Sequence, residues 1–186
     1  MERETAAPDD RRKIILIGYR ACGKTSVGTL LARQLGWELL DLDAEIVRRT
    51  GSEIRELVAS RGWDHFRALE RELLQEVAGR HRLVVATGGG AVLHREVWPA
   101  LRQGSLVVWL RADPAAIAAR LSADPVSSRQ RPALTDQGLL AEIDEVLAQR
   151  EKLYRQTADL AIDTTTLGPA VIAGLIIEKM GPQGGP

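Results

Sequence analysis

The octapeptide GYRACGKT at residues 18–25 constrains this chain more than any other feature of its sequence. It fits the pattern G-x-x-x-x-G-K-[ST], follows the apolar run 14–17, and opens an amphipathic helical stretch at Lys24. In such a loop, backbone N–H groups and the positive end of a helix dipole converge on phosphate oxygens. The motif predicts a site for a nucleoside triphosphate with Mg²⁺, in which Lys24 bridges phosphates and Thr25 ligates the metal. It does not separate kinases from hydrolases, switches or motors.

The charge balance, the apolar runs and the cysteine count exclude several classes of protein. The chain has 186 residues with 25 basic and 25 acidic side chains, which excludes the broad basic field of an electrostatic nucleic-acid binder. No apolar run is long enough for a membrane span, and the single cysteine excludes an internal disulfide. We expect a cytoplasmic protein with a disordered polar leader at residues 1–12, one domain at 13–180 and a loose tail at 181–186.

Short apolar runs alternate with longer helical stretches along the ordered part. The runs predict five buried strands, at 14–17, 38–42, 83–86, 106–110 and 160–162. The stretches predict helices at 24–35, 64–78, 114–121, 139–154 and 169–180. This alternation predicts a three-layer α/β/α sandwich around a five-stranded parallel sheet, the architecture of P-loop nucleoside monophosphate kinases. Ligands in such folds bind beyond the carboxyl ends of the strands.

Two carboxylates follow the second predicted strand, at Asp41 and Asp43. If the strand runs through them, both point to the same side because strand side chains alternate with period two. One carboxylate then orders water around Mg²⁺, and the other accepts a proton from an attacking hydroxyl. The alternative is that Asp43 only caps a helix starting at Ala44.

Three consecutive glycines, Gly88, Gly89 and Gly90, follow the third predicted strand. Glycine favours close approach of the backbone to a ligand or a positive φ, and a plain flexible turn is the alternative. The strand ends Ala86–Thr87, without the aspartate that usually ends this strand in P-loop nucleotidases. Asp41 is the evident replacement.

Several arginines have two interpretations each. Arg67 either forms a surface ion pair with Asp64 or Glu70 on its own helix, or faces the pocket and holds a substrate carboxylate. Arg150 has the same two interpretations. The segment 123–136, which carries Arg129 and Arg131, is predicted to be a lid that closes over phosphates, with a solvated basic loop as the alternative.

The cysteine and the histidines carry weaker signals. Cys22 lies in the phosphate loop, where a helix N-terminus can lower a thiol pKa, but a small residue that fits the loop is the favoured interpretation. His65, His81 and His94 lack metal-ligand spacing and are interpreted as surface or capping residues.

Together these segments resemble shikimate kinase, from Lys13 to the final helix. The signatures, in chain order, are GYRACGKT, DLDAEIVRRTG, GWDHFRALE and TGGGAV, followed by RPALT and the R-x-x-L-Y of Arg150–Tyr154. The phosphate loop is generic, whereas the ordered D-x-D, F-R and G-G-G set is specific. The GW before FR and the loop cysteine are most similar to the second bacterial type.

The resemblance implies ATP-dependent phosphorylation of the 3-hydroxyl of shikimate, in aromatic amino-acid biosynthesis, by a monomer that uses Mg²⁺. Lys24, Asp43 and Arg131 would be catalytic, and Thr25 and Asp41 would serve the metal. ATP would also contact the phosphate loop and the start of the helix that follows it, at Ala21, Cys22, Gly23 and Ser26. Arg120 would be a further contact of ATP. Shikimate would contact Asp43, Arg67, Gly88, Gly89, Gly90 and Arg150, with Phe66 and Trp63 walling its ring.

Three residues depart from the family pattern. Ala21 replaces a usual glycine, Val58 a common aromatic, and Leu167 an arginine that some members place near the adenine. Two rival functions remain from sequence. One is another P-loop kinase with an acidic acceptor, such as a gluconate kinase. The other is a nucleotide-binding regulatory module without turnover, against which Lys24 and the two aspartates argue.

Overall fold

A computed structural model describes residues 12–123 and 138–181 of the chain. Its strands are β1 (Lys13–Ile17), β2 (Glu38–Asp41), β3 (Leu83–Ala86), β4 (Ser105–Arg111) and β5 (Leu160–Asp163). Its helices are α1 (Lys24–Leu35), α2 (Leu42–Thr50), α3 (Ile54–Ala78), α4 (Trp98–Leu101), α5 (Pro114–Ala123), α6 (Leu139–Thr157) and α7 (Pro169–Met180), with a 3₁₀ turn at Ala91–Leu93. The predicted leader, lid and tail lie outside the described residues, apart from their end residues 12, 123 and 181.

The strands form one parallel sheet in the order β2-β3-β1-β4-β5. This confirms the predicted five-stranded α/β sandwich. The order places β1 between β3 and β4, so the carboxyl ends of β2, β3 and β1 are adjacent. The phosphate loop, the two aspartates and the three glycines follow these ends and therefore meet at one edge of the sheet.

Both faces of the sheet are covered, and β1 shows why. Its residues alternate between two apolar cores: Ile14 and Leu16 belong to one, and Ile15 and Ile17 to the other. All four side chains are fully buried. The first core contains residues of α1, α5 and α7, and the second contains residues of α2, α3 and α4. A strand buried on both faces explains the uninterrupted Ile-Ile-Leu-Ile run.

The predicted helices exist, but the region after β2 is more helical than predicted. A separate helix, α2, occupies residues 42–50, and α3 begins ten residues before the predicted start at 64. Gly62 interrupts α3 with φ 81° and ψ 167°, which divides it into two helical halves. In α6, Ile143, Val146 and Tyr154 recur at helical spacing and are buried, while Leu139 is 39% exposed. Within residues 12–123 and 138–181, every helix is too short or too polar to cross a bilayer.

Candidate active site

The phosphate loop joins β1 to α1 and is shaped by close backbone packing. Gly18 has φ +139°, and a Cβ there would overlap the carbonyl oxygen of Leu110 on β4. Lys24 is buried, and its Nζ donates to the carbonyl oxygens of Gly18 (2.9 Å) and Tyr19 (2.7 Å). The ammonium is therefore held in the hollow of the loop, at the N-terminus of α1. Ala21 adopts φ +59°, the left-handed conformation that suits the family's usual glycine at this position.

Thr25 and Asp41 form the hydroxyl–carboxylate pair that the sequence predicted for a metal. Thr25 Oγ1 donates to Asp41 Oδ2 at 2.6 Å. The other oxygen, Oδ1, accepts from the backbone N–H groups of Asp43 (3.1 Å) and Ala44 (3.3 Å), so Asp41 also caps α2. This cap corrects two expectations. The strand ends at Asp41 instead of running through Asp43, and the capping residue is Asp41 rather than Asp43.

Asp43 lies in the first turn of α2, half-buried, and its position is set by that cap. The two aspartates thus belong to different elements, and strand alternation is not the reason that they share a site. Both side chains nevertheless line one cleft of about 840 Å³ together with Lys24 and Thr25. The further lining includes Ser26, Thr87, Arg120, Thr164, Leu167 and Pro169.

Arg120 lies on α5 at the nucleotide side of this cleft. Its Nη1 donates to the carbonyl of Ala21 (3.2 Å), and its Nη2 donates to the carbonyl of Thr164 (2.5 Å). The Thr164 hydroxyl in turn donates to the carbonyl of Cys22 at 3.3 Å. The guanidinium therefore links the phosphate loop to the segment after β5. Leu167, the residue that departs from the family pattern, lines the same side.

The glycine loop is where Arg67 and Arg150 come together. Arg150 is buried and donates from Nη1 to the carbonyl oxygen of Gly89 at 3.0 Å. Tyr154, one turn further along α6, donates to the same oxygen at 2.6 Å. A Cβ on Gly90 would overlap the Arg67 guanidinium, so the guanidinium lies directly against the backbone of the glycine loop. Among the described residues no carboxylate pairs with Arg150, which contradicts the surface ion-pair interpretation.

Arg67 does pair with Glu70, as one interpretation held, but the pair is not at the surface. Nη1 of Arg67 lies 2.5 Å from Oε2 of Glu70, a fully buried residue. His94 Nε2 lies 3.0 Å from the same oxygen. Burial by itself raises the pKa of Glu70, but the hydrogen bond from His94 and the charge of Arg67 outweigh it, so the pKa of Glu70 is lowered. His94 is buried, at 7% exposed, so it is not a surface residue, but it does cap the 3₁₀ turn Ala91–Leu93, which was the other half of the prediction.

The two aromatic residues predicted to wall a substrate ring occupy unequal positions. Phe66 is 0% exposed, and its role in walling a substrate ring stays a prediction. Trp63 is half-buried and packs edge-on against Phe66 at 5.8 Å between ring centroids. The Arg67 guanidinium lies over both rings, 5.4 Å from Trp63 and 5.3 Å from Phe66. Both rings therefore stabilise the Arg67 guanidinium through cation–π contacts.

Cys22 is a buried, free cysteine of the phosphate loop. Its side chain is buried, and burial raises the pKa of the thiol despite the nearby charges of Lys24 and Arg120. The structure supports the interpretation of Cys22 as a small residue that fits the loop. Arg129 and Arg131 lie outside the described residues.

Sequence reasoning missed one cluster that reaches the phosphate loop. Glu142, in the first turn of α6, is buried and accepts a hydrogen bond from Tyr19 Oη at 3.1 Å. The Arg20 guanidinium forms an ion pair with the same carboxylate oxygen. Arg20 and Glu142 are too far apart in sequence for spacing to have suggested this contact.

The oxygen donors at Thr25 and Asp41 suit Mg²⁺, a hard cation that takes one or two protein ligands together with phosphate and water. Elsewhere in residues 12–123 and 138–181, no three His, Cys, Asp or Glu side chains are grouped to hold a metal by themselves. The donor set therefore fits a magnesium ion that arrives with a nucleotide.

A nucleotide cleft that also exposes a carboxylate, beside a loop approached by two guanidinium groups, defines a P-loop kinase for a small acidic acceptor. A family model described as shikimate kinase matches residues 20–181. The chain belongs to the shikimate kinase family, and it is an ATP-dependent kinase that uses Mg²⁺ and phosphorylates shikimate.

Individual relatives agree with this assignment. A shikimate kinase of Oleidesulfovibrio alaskensis is 45% identical over 172 residues, which cover 92% of this chain and 99% of the relative. Shikimate kinase 2 of Dickeya chrysanthemi is 41% identical, covering 88% of this chain and 93% of the relative. The structure of Acinetobacter baumannii shikimate kinase in complex with shikimate has a TM-score of 0.83 and 33% identity, covering 91% and 92% of the two chains.

Proposed function

We propose that transfer of the γ-phosphoryl group of ATP to the 3-hydroxyl of shikimate takes place between Lys24 and Asp43. The observation that carries this assignment is that both side chains line the cleft that contains the phosphate loop. Asp43 accepts the proton of the attacking hydroxyl as the new O–P bond forms and the bond from the γ-phosphorus to ADP breaks. Lys24 stabilises the charge that develops on the transferring group. Arg131, outside the described residues, is proposed as a further catalytic cation from sequence.

ATP binds along the phosphate loop, through the backbone N–H groups of residues 21–26 and the helix dipole of α1. Arg120 flanks the nucleotide, since it lines the cleft and is anchored on both sides of it. Thr25 and Asp41 hold Mg²⁺, directly or through its water shell. When bound, Mg²⁺ neutralises phosphate charge during the transfer.

Shikimate binds against the glycine loop. Arg67 and Arg150 both reach this loop and supply the fixed positive charge that a carboxylate requires. The backbone of Gly88, Gly89 and Gly90 meets the ring hydroxyls, and Trp63 contributes the apolar side of the pocket. This placement sets the carboxylate at the guanidinium groups and leaves the opposite side of the ring facing Asp43.

The test of these roles is Asp43→Asn. The amide keeps the size of the side chain but cannot accept the proton, so kcat should fall by about 10²-fold or more. The Kd for ATP should stay within about twofold, because Asp43 does not contact the nucleotide in this proposal. Coupled ADP release gives kcat, and calorimetry gives the Kd. An unchanged kcat with a raised KM for shikimate would show that Asp43 binds the acceptor without serving as its base.

The same assay distinguishes shikimate kinase from the gluconate kinase-like alternative. It is run with shikimate, quinate and gluconate as acceptors, with and without Mg²⁺. Turnover on gluconate equal to that on shikimate would favour the gluconate kinase-like alternative. ATP binding without turnover on any acceptor would favour a regulatory module.

Three coarser features belong to the same proposal. We propose one kinase domain at residues 13–180, and the family match over residues 20–181 lies largely within it. The enzyme is also proposed to act as a monomer in the cytoplasm, two expectations taken from the sequence. Light scattering on the purified protein tests the monomer.

A further inference from the structure

His94 lies outside the predicted site, yet it contacts the carboxylate that holds a substrate-binding arginine. Its Nε2 lies 3.0 Å from Oε2 of Glu70, and Arg67 Nη1 lies 2.5 Å from the same oxygen. Both Glu70 and His94 are buried. The inference drawn from this contact rests on the proposed function of Arg67, which is to bind the shikimate carboxylate.

The chemistry of the contact sets the direction of the hydrogen bond. The lowered pKa of Glu70 keeps it ionised, and an ionised carboxylate only accepts hydrogen bonds. His94 Nε2 is therefore an N–H group that donates a hydrogen bond to Oε2 of Glu70, as Nη1 of Arg67 does. Two donors on one oxygen leave Oε1 of Glu70 buried and, within the described residues, without a hydrogen bond.

This convergence restricts how the carboxylate can turn. With Arg67 as its single partner, Glu70 could rotate its carboxylate and carry the guanidinium to a different position. The second bond, from a residue on a different segment, fixes Oε2 in place. Arg67 is then held between Glu70, the rings of Trp63 and Phe66, and the backbone at Gly90.

The position of His94 in the chain adds a second link. It ends the 3₁₀ turn Ala91–Leu93, which starts directly after the glycine loop. Its backbone N–H bonds to Ala91 O at 3.2 Å, and its C=O accepts from the N–H of Val97 at 3.2 Å. The imidazole is therefore carried on a rigid turn, and its bond to Glu70 ties that turn to α3. The glycine loop and Arg67 are the two parts of the acceptor site that this bond connects.

We propose that His94 is a positioning residue for the acceptor carboxylate, acting through Glu70 to hold Arg67 against the glycine loop. The role is specific to the acceptor, because neither His94 nor Glu70 lines the nucleotide cleft.

The experiment compares His94→Leu, which removes the donor at similar volume, with His94→Gln, whose amide nitrogen can replace Nε2. His94→Leu should raise the KM for shikimate by about five- to tenfold and leave kcat and the KM for ATP within about twofold. His94→Gln should recover most of the loss. His81→Leu, at an exposed histidine in the turn before β3, is the matched control and should leave all three constants unchanged.

Two further measurements separate positioning from a general structural role. With shikimate carboxamide, a neutral acceptor, the difference between wild type and His94→Leu should disappear. In an Arg67→Ala background, His94→Leu should have no additional effect on the KM for shikimate. Proportional losses in kcat and in both KM values would overturn the inference, as would an effect that persists with the carboxamide.

If His94→Leu does not fold, the pair His94→Gln and His94→Asn replaces it, since the shorter amide does not reach Glu70. Equal KM values for these two variants would then overturn the proposal. Arg67→Ala separates a failure of the role proposed for Arg67 from a failure of the role proposed for His94. If it leaves the KM for shikimate unchanged, the proposed role of Arg67 fails as well. If it raises that KM while His94→Leu does not, only the role of His94 fails.

Discussion

At the scale of single residues, the site depends on positions where a side chain must be absent. Gly18 combines φ +139° with a backbone neighbour, the carbonyl of Leu110, in the space that a Cβ would occupy. The first residue of the phosphate loop is therefore fixed by packing against β4, independently of any ligand. This requirement is readable from the motif, but its cause is visible only once β1 and β4 are known to be neighbours.

We expect Gly18→Ala to destabilise the fold by about 2 kcal/mol or more, because both the clash and the φ must be relieved by moving the loop. ATP affinity should fall with it. Urea denaturation and nucleotide titration measure the two effects.

Gly174→Ala is the matched control, at an exposed helical position in α7 where a Cβ meets nothing within 4 Å. It should be neutral or stabilise by up to about 1 kcal/mol. Equal stabilities for the two variants would contradict the packing argument at Gly18.

At the scale of elements, α6 connects the two halves of the site. Its first turn places Glu142 against Tyr19 and Arg20 of the phosphate loop. About two and three turns later, Arg150 and Tyr154 donate hydrogen bonds to the carbonyl oxygen of Gly89 in the glycine loop. One rigid helix thus sets the distance between the loop for the phosphate donor and the loop for the acceptor.

We predict that Glu142→Ala destabilises the protein by about 2 kcal/mol, since it leaves the partly buried Arg20 guanidinium without its carboxylate partner. The double variant Arg20→Ala/Glu142→Ala should lose less than the sum of the single variants. Chemical denaturation of the four proteins of this cycle provides the test. Strict additivity would mean that the ion pair contributes nothing.

Elements were predictable from sequence where the signal was local. The apolar runs gave the strands, and the phosphate loop gave the start of α1 at Lys24. The failures were non-local or depended on capping. Asp41 ends β2 because its carboxylate caps α2. The alternation of side chains along a strand does not predict whether such a residue continues the strand or caps the next helix. The Arg67–Glu70 pair follows from i,i+3 spacing, but His94 joins it only after α3 packs beside the turn that follows the glycine loop, and no spacing rule predicts that contact.

At the scale of the whole molecule, buried charge makes stability depend on pH. Folding lowers the pKa of Glu70 below its ordinary value of 4.5, so the folded state favours the ionised carboxylate. Its stabilising contribution is present above that value. It is lost as pH falls through the lower, folded pKa, because the unfolded chain then binds the extra proton.

Glu70→Gln should therefore reduce the free energy of unfolding by about 1–3 kcal/mol at neutral pH, and the deficit should shrink on acidification to about pH 3. Glu56→Gln, at an exposed position on the same helix, is the control and should show no such trend. Thermal unfolding across this pH range measures both. A deficit for Glu70→Gln that is constant with pH would show that packing, rather than charge, is lost.

The polarity of the sheet has a practical consequence for engineering. All the chemistry follows the carboxyl ends of the strands. The opposite rim is closed by the backbone bonds of Arg12 to Gly104 (3.0 Å) and of Arg82 to Arg12 (2.6 Å). The turn at Gly104 lies at this opposite rim, away from the residues proposed to bind the substrates. A fluorophore or affinity tag attached beside Gly104 should therefore leave turnover unchanged.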